Sequence, residues 1–462
     1  MNEFEATNDD FRHLDDGLPP EIQRLKDAGQ LKRAIRLIED DLRAGTRPEL
    51  APCLRAERAR ILRTPLDFCV TREAALEQVR AEWPDFSEDD LDRLVDTRRI
   101  DWRLVEGEQR FLDNFVDSLR KYPEDVPGLA CPVQDRAEQL AVLDEMREKG
   151  FAERRIRIRA SIAAGEGVDV APDTPVRCWL PLPAKCPQVC DIQLRDAALG
   201  VQVAPADAPQ RTAYWETCGE REFYVDYEYT IRAPYVDLWC EAPAPAEKDA
   251  RFASAPAPEV ADVAEQRPHV TFTPYLRELA DRLFATIPAD DALGRARAAY
   301  DYVTNNVDYR FQPEYLLLDP IADSCAKSLR GDCGVFAVTF ITLCRLGGVP
   351  ARWQSGLYAA PDYAGPHDWA MFYVEGLGWL WADCSFGSSA RRDGDEARRR
   401  FYFGNLGPWR MVANSQFMAP LTPACDTLRA DPYDNQVGEL IVGERGLTFH
   451  DFTWQTTLVS MR

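Results

Sequence analysis

Between residues 335 and 346 the chain reads VFAVTFITLCRL, apolar on nearly every side of a helix. Such a helix offers no face to water, so whatever fold this chain adopts has to wrap it. Its ends are marked. Gly347-Gly348 supplies a C-terminal stop and Pro350 forbids continuation. Asp332 is the expected N-cap, which puts Cys333 in the first turn, facing unpaired backbone N–H groups and the positive end of the helix dipole. Both favour the thiolate, the nucleophilic form of cysteine. Gly331 and Gly334 beside it would let a substrate backbone come close.

A catalytic thiolate wants a base, and the base wants an orienting group. The chain has four histidines, His13, His269, His367 and His450. His367 opens HDWAMFYVEGLGWLWADCSFG (367–387), which predicts a hairpin turning near 375–378. Trp369, Met371 and Tyr373 share the His367 face, and Trp379, Trp381 and Asp383 share a face of the return strand. The two sets meet if the turn holds an odd number of residues or the pair carries a bulge. Asp383 then accepts one imidazole N–H and fixes the tautomer. Trp369 and Trp381 are candidates to wall the cleft and keep water from that bond. Taken alone, each feature has a plainer reading: a helical cysteine is usually a small core residue, as expected of Cys344, and a strand His or Asp is usually structural. Their order along the chain is what points to chemistry.

Gly-x-Cys-Gly, a helix ending in Arg-Leu-Gly-Gly-Val-Pro-Ala-Arg, then His-x-Trp, then Gly-Trp-x-x-x-Asp together resemble the transglutaminase-like superfamily of papain-like cysteine enzymes, over about residues 295–390. The resemblance implies Cys333 as nucleophile, His367 as base and acid, and Asp383 as orienter. VTNNVDYRF, with Tyr309, resembles the upstream part of that core. The stretch around VRCWLPLP looks like the β-domain that precedes it in some bacterial members, and FYFGNLGPWRMVAN and DPYDNQVGE look like tails of uncharacterised ones. Two residues depart from the family pattern. Asp368 stands where a small residue is commoner, and Cys384 where proline often follows the Asp; a carboxylate beside His367 would raise its pKa if it pointed that way. The paired CxxC zinc motifs of deglycosylating members are missing. Cys186 and Cys190 form a single C-x3-C, so neither a metal nor another cofactor is expected.

These residues imply acyl transfer through a thioester. Cys333 attacks an amide carbonyl, its N–H and one upstream donor, Tyr309 or Gln312, bind the oxyanion, and His367 protonates the leaving group. Hydrolysis of a peptide or protein substrate, by a peptidase or amidase, is favoured over crosslinking or deamidation, because a cytosolic crosslinker would endanger its own cell. The competing reading is a non-catalytic scaffold of the same fold that binds peptides or proteins.

Composition limits the partners. Among 462 residues, Asp plus Glu is 77 against 55 Lys plus Arg, a net charge of −22. That balance argues against nucleic acid and anionic membrane surfaces. No run of ~20 apolar residues suggests a membrane span. An acidic N-terminus without a signal-like segment, and 13 scattered cysteines, suggest reduced thiols in the cytoplasm.

The expected class is α+β: a papain/transglutaminase-like core, a buried helix on an antiparallel sheet, preceded by a β-sandwich and a helical N-terminal region. The expected segments are a mainly helical 1–145, a sandwich at 150–240, an extended Ala/Pro-rich linker at 241–268, the core at 269–415, and a 416–462 extension, expected to be β, packing on the core. In the first, Ile22, Leu25, Leu31, Ala34, Ile35, Ile38 and Leu42 recur at helical spacing on either side of a turn at 27–29, resembling one tetratricopeptide-type hairpin. Ser87 is an N-cap. The helix behind it and the following IDWRLVEGEQRFLD give a winged-helix outline, but the segment is acidic and is taken as a packing module. RRDGDEARRR (391–400) is a basic island, either a solvated face or a rim for an acidic substrate, and Phe401, Tyr402, Phe403 and Trp409 after it suit a cleft wall or a core.

Overall fold

The period-two runs become strands whose inward residues are buried: Ile156, Ile158, Ala160 and Ile162 on Phe151–Ala164, Val176, Cys178 and Leu180 on Pro175–Pro181, and Phe223, Val225, Tyr227 and Tyr229 on Glu222–Pro234. They form two antiparallel sheets. One orders Phe452–Met461, Phe151–Ala164, Glu222–Pro234 and Val189–Ala197; the other orders Arg445–Gly446, Glu439–Val442, Pro175–Pro181, Thr212–Cys218 and Gln202–Val203. Two of these strands come from the C-terminal extension. Phe452–Met461 runs beside Phe151–Ala164, and Glu439–Val442 pairs with Pro175–Pro181. The extension therefore completes the sandwich, and it also packs on the core, where Leu440, Leu447 and Phe452 share a cluster with Trp369 and Met371. A half-finished sheet leaves an unpaired edge, and the extension covers it.

The computed structural model describes residues 3–126, 128–129, 136–244, 252 and 255–462. The chain divides into two compact units, Met1–Asp135 with Tyr309–Asp319, and Arg136–Asp308 with Pro320–Arg462. In the first, Ile22, Leu31, Ala34 and Ile38 pack with Leu54 and Ile61. Gly29, at φ +67°, turns the chain between the helices, and a Cβ there would come within 2.7 Å of the Leu104 carbonyl. Ser87 caps Glu88–Asp96 through a capping box with Asp90. Trp102–Val105 and Glu108–Phe111 form the expected hairpin around Glu106-Gly107. Residues 309–319 return to this unit, where the buried Arg310 guanidinium meets Asp125 at 2.7 Å and lies 4.1 Å from the centre of the Tyr122 ring.

The second unit holds the sandwich and the buried helix together. Cys333–Leu346 is buried at every position from Gly334 to Arg345, and Gly348 follows it at φ +74°. It lies on a five-stranded antiparallel sheet ordered Phe403–Gly404, Gly378–Ala382, Tyr363–Val374, Ala351–Ala360, Arg410–Asn414. Phe340 meets Phe372 edge-on at 5.9 Å. On the other face Trp369, Met371 and Trp381 share one core with Ile156, Val225 and Tyr229 of the sandwich. Sandwich and core are thus not separate bodies, because this sheet is apolar on both faces and needs a cover on each.

In the expected linker, residues 245–251, 253 and 254 lie outside the described residues, as do 1, 2, 127 and 130–135 of the expected helical region. The described residues 255–268 lie against the core: Asp262 holds Arg352 by two bonds of 2.6 and 2.7 Å, and Trp379 Nε1 donates to the Pro256 carbonyl at 2.7 Å. A low-complexity composition signals a spacer, but one buried carboxylate with a guanidinium partner anchors it. Among the described residues no helix is long and apolar enough to cross a membrane.

Candidate active site

Asp332 accepts the Val335 N–H at 3.2 Å, so the cap falls where the sequence placed it and Cys333 opens the helix. Gly331 serves packing: a Cβ there would strike the Val335 side chain. The hairpin between Tyr363–Val374 and Gly378–Ala382 pairs Val374 with Gly378, leaving three residues in the turn. With that odd number His367, Trp369 and Asp383 share one face, and His367 Nε2 lies 2.8 Å from Asp383 Oδ2. Both side chains are buried.

Asp383 is held from four sides. Oδ2 also accepts Arg410 Nη2 at 2.6 Å, while Oδ1 accepts the Phe386 N–H at 3.0 Å and the Ser385 hydroxyl at 3.1 Å. It is the N-cap of Cys384–Arg392. Burial disfavours its charge, but His367 and Arg410 outweigh that and hold the carboxyl well below the usual carboxylate range. The Arg410 guanidinium is itself buried against the rings of Tyr358 and Phe386, each 4.6 Å away.

The thiol differs from expectation. Cys333 Sγ donates to Asp368 Oδ2 at 3.3 Å. Desolvation, together with the charges of Asp368 and Asp332, pushes the thiol well above its ordinary range, outweighing the helix N-terminus. Asp368 follows His367 on the strand and so points to the opposite face, towards the helix, and its oxygens are taken by Cys333 and Gln436 rather than the imidazole. Gln436 Nε2 donates to Asp368 Oδ1 at 2.7 Å and to the His367 carbonyl at 3.0 Å. Nearby, Asp434 accepts the Ser355 hydroxyl at 2.9 Å, and burial, with Asp431 close by, pushes it up to about 7.

Trp369 and Trp381 do not wall an open cleft, since they are 0% and 3% exposed. Both indoles donate to Gln354 Oε1, at 2.8 and 3.2 Å, and Gln188 Nε2 donates to the same oxygen at 2.9 Å. Trp369 lies 5.9 Å from the His367 ring, where it keeps water from the His–Asp bond. Replacing Gln354 with Leu strands three buried donors, and a loss on the order of 3 kcal/mol or more is expected in urea unfolding; a change under about 1 kcal/mol would show that the oxygen is no anchor. Tyr309 and Gln312 belong to the other unit. There the Tyr309 N–H donates to Tyr122 Oη at 2.8 Å and Gln312 Nε2 donates to the Arg310 carbonyl at 3.1 Å. The basic island is neutralised within the unit: Arg398 pairs with Asp393, Arg399 with Glu396 and Asp301, and Arg400 with Glu396. Phe401, Tyr402, Phe403 and Trp409 are core residues.

The family model of the transglutaminase-like superfamily matches residues 277–384. The chain carries a transglutaminase-like domain. Comparison with curated proteins gives no match. Among solved structures, similarity extends to a proposed cysteine protease from Cytophaga hutchinsonii (14% identity, TM-score 0.40, 67% of this chain and 93% of that one). It extends also to the periplasmic domain of TgpA from Pseudomonas aeruginosa (14%, 0.27, 56% and 96%). The matched span holds Cys333, His367 and Asp383 and stops short of Arg410 and Gln436. Sequence reasoning missed those two. The one available signal for Arg410 was a lone charge opening the apolar strand RMVAN, whereas a glutamine in a loop gives none.

Proposed function

We propose that the transglutaminase-like domain catalyses cysteine-dependent acyl transfer on a peptide or protein, with Cys333 as nucleophile, His367 as acid and base, and Asp383 as orienter, and that water resolves the thioester. The observation that carries this reading is the buried 2.8 Å bond from His367 Nε2 to an Asp383 whose charge Arg410 secures. A carboxylate bonded to one imidazole nitrogen fixes the tautomer and stabilises the imidazolium that forms when a proton is taken up. The Cys333 N–H at the helix start is the natural oxyanion donor. Every cysteine among the described residues is free, which suits a reducing, cytoplasmic setting.

The scaffold reading draws on one observation, a thiol engaged by Asp368 and shifted away from ionisation. Incubation of wild-type and Cys333→Ala protein with a peptide library, followed by mass spectrometry, separates the readings. Cleaved or deamidated products from the wild type alone are expected. Crosslinked products would replace hydrolysis by aminolysis, and identical product profiles from both proteins would leave the scaffold.

A further inference from the structure

The reacting sulfur has a neighbour that the Cys–His–Asp reading leaves idle. Sγ lies 3.3 Å from Asp368 Oδ2. The carboxyl is 4% exposed, and its other oxygen is fixed by Gln436 at 2.7 Å. Gln436 also holds the His367 carbonyl, so one amide sets the strand and the carboxyl together. Alternation along Tyr363–Val374 turns Asp368 towards Cys333 and His367 towards Asp383.

We propose that Asp368 is a further catalytic residue, the carboxylate that takes the proton of the Cys333 thiol, leaving His367 to serve the leaving group. This rests on Cys333 being the nucleophile. The cycle starts with thiol, Asp368 carboxylate and His367 imidazolium. The S–H bond breaks and an O–H bond forms on Asp368 as sulfur attacks the amide carbon. The C–N bond then breaks as His367 gives its proton to the departing nitrogen, leaving thioester, Asp368 carboxylic acid and neutral His367. Water next attacks the thioester carbon and gives a proton to His367. The C–S bond breaks, and sulfur recovers its proton from Asp368. The acid and amine products depart, and all three residues are restored.

The groups facing Asp368 support a carboxylate that competes for a thiol's proton. Asp332 faces it from the helix cap, Asp434 and Asp431 from the C-terminal segment, and the thiol itself completes the set. With burial, these negative neighbours hold its proton affinity well above the usual carboxylate range. Proton transfer is most effective between groups of matched affinity.

The test uses full-length protein and two readouts: turnover of a library-derived peptide, and carbamidomethylation of Cys333 by iodoacetamide between pH 5 and 9, followed by mass spectrometry. Asp368→Asn preserves size and the Gln436 contact. It is expected to lower kcat by about 10²–10³-fold while speeding alkylation by roughly tenfold or more at the alkaline end of that range, because the charge Asp368 carries there no longer opposes the thiolate. His367→Gln is expected to lose turnover and keep the wild-type alkylation curve. Undiminished turnover in Asp368→Asn, or an alkylation curve that moves with His367→Gln and not with Asp368→Asn, overturns the proposal and makes imidazole the thiol's partner. Turnover that survives Cys333→Ala fails the underlying reading instead, and it does so independently of Asp368.

Discussion

Asp383→Asn protein is expected to turn over about 10⁴-fold more slowly than wild type and to lose about 3–5 kcal/mol of stability. The two losses have different causes. Without a carboxylate at Nε2 the imidazole is no longer held as the tautomer that can accept a proton at its other nitrogen. Separately, the Arg410 guanidinium is 1% exposed and 2.6 Å from Asp383 Oδ2, so the amide strands a buried positive charge. The causes come apart in a double-mutant cycle. Adding Arg410→Gln should restore much of the stability and none of the turnover, since the unpaired charge goes while the imidazole stays unanchored. Urea unfolding and kcat on the four proteins of the cycle read both effects. A stability loss unaffected by the second substitution would mean that Arg410 is not held by that charge.

The second large effect is a dependence of stability on pH. An unfolded aspartic acid ionises near pH 4, whereas the folded chain holds the Asp434 proton up to about 7. Between those values the folded state binds the extra proton. Stability is therefore greatest at the acidic end of the window and declines as pH rises towards and through 7, by an amount on the order of 4 kcal/mol. The structural cause is a carboxyl with Oδ1 on the Ser355 hydroxyl and Oδ2 without a hydrogen-bond partner among the described residues, close to Asp431. Asp383 acts in the opposite sense, but its contribution is lost only as pH falls below about 4, outside this window. Urea midpoints from pH 5 to 8.5 should fall for wild type and fall less steeply for Asp434→Asn, in which the buried carboxyls of Asp368 and Glu439, also held above the usual range, still lose their protons. Parallel curves for the two would remove Asp434 as the cause.

The parts of this molecule governed by period and punctuation were legible in advance. Alternation placed Ile156, Tyr227 and their neighbours inward, and a cap and a Gly-Gly stop bounded the Cys333 helix. The number of residues in one turn decided that His367 would meet Asp383. What was not legible depended on contacts between residues far apart in the chain. A carboxylate beside a histidine in sequence looks like that histidine's neighbour, but on a strand it belongs to the opposite face, which is how Asp368 reached the thiol. Gln436 sits 68 positions from Asp368 and Asp434 sits 79 from Ser355, in a loop with no period to read. The ionisation expected for Cys333 failed for a related reason. A helix terminus is a local property, while the carboxylates opposing it come from the cap residue and from another strand.

The pairing of Phe452–Met461 with Phe151–Ala164 also governs the order of assembly. During synthesis the first of these strands emerges about three hundred residues before its neighbour, and Gln436 reaches the strand of His367 and Asp368 almost as late. A ribosome-bound chain therefore carries the thiol and the imidazole long before the clamp that sets them. The sheet of the second unit therefore lacks its edge strand until translation has passed Phe452–Met461.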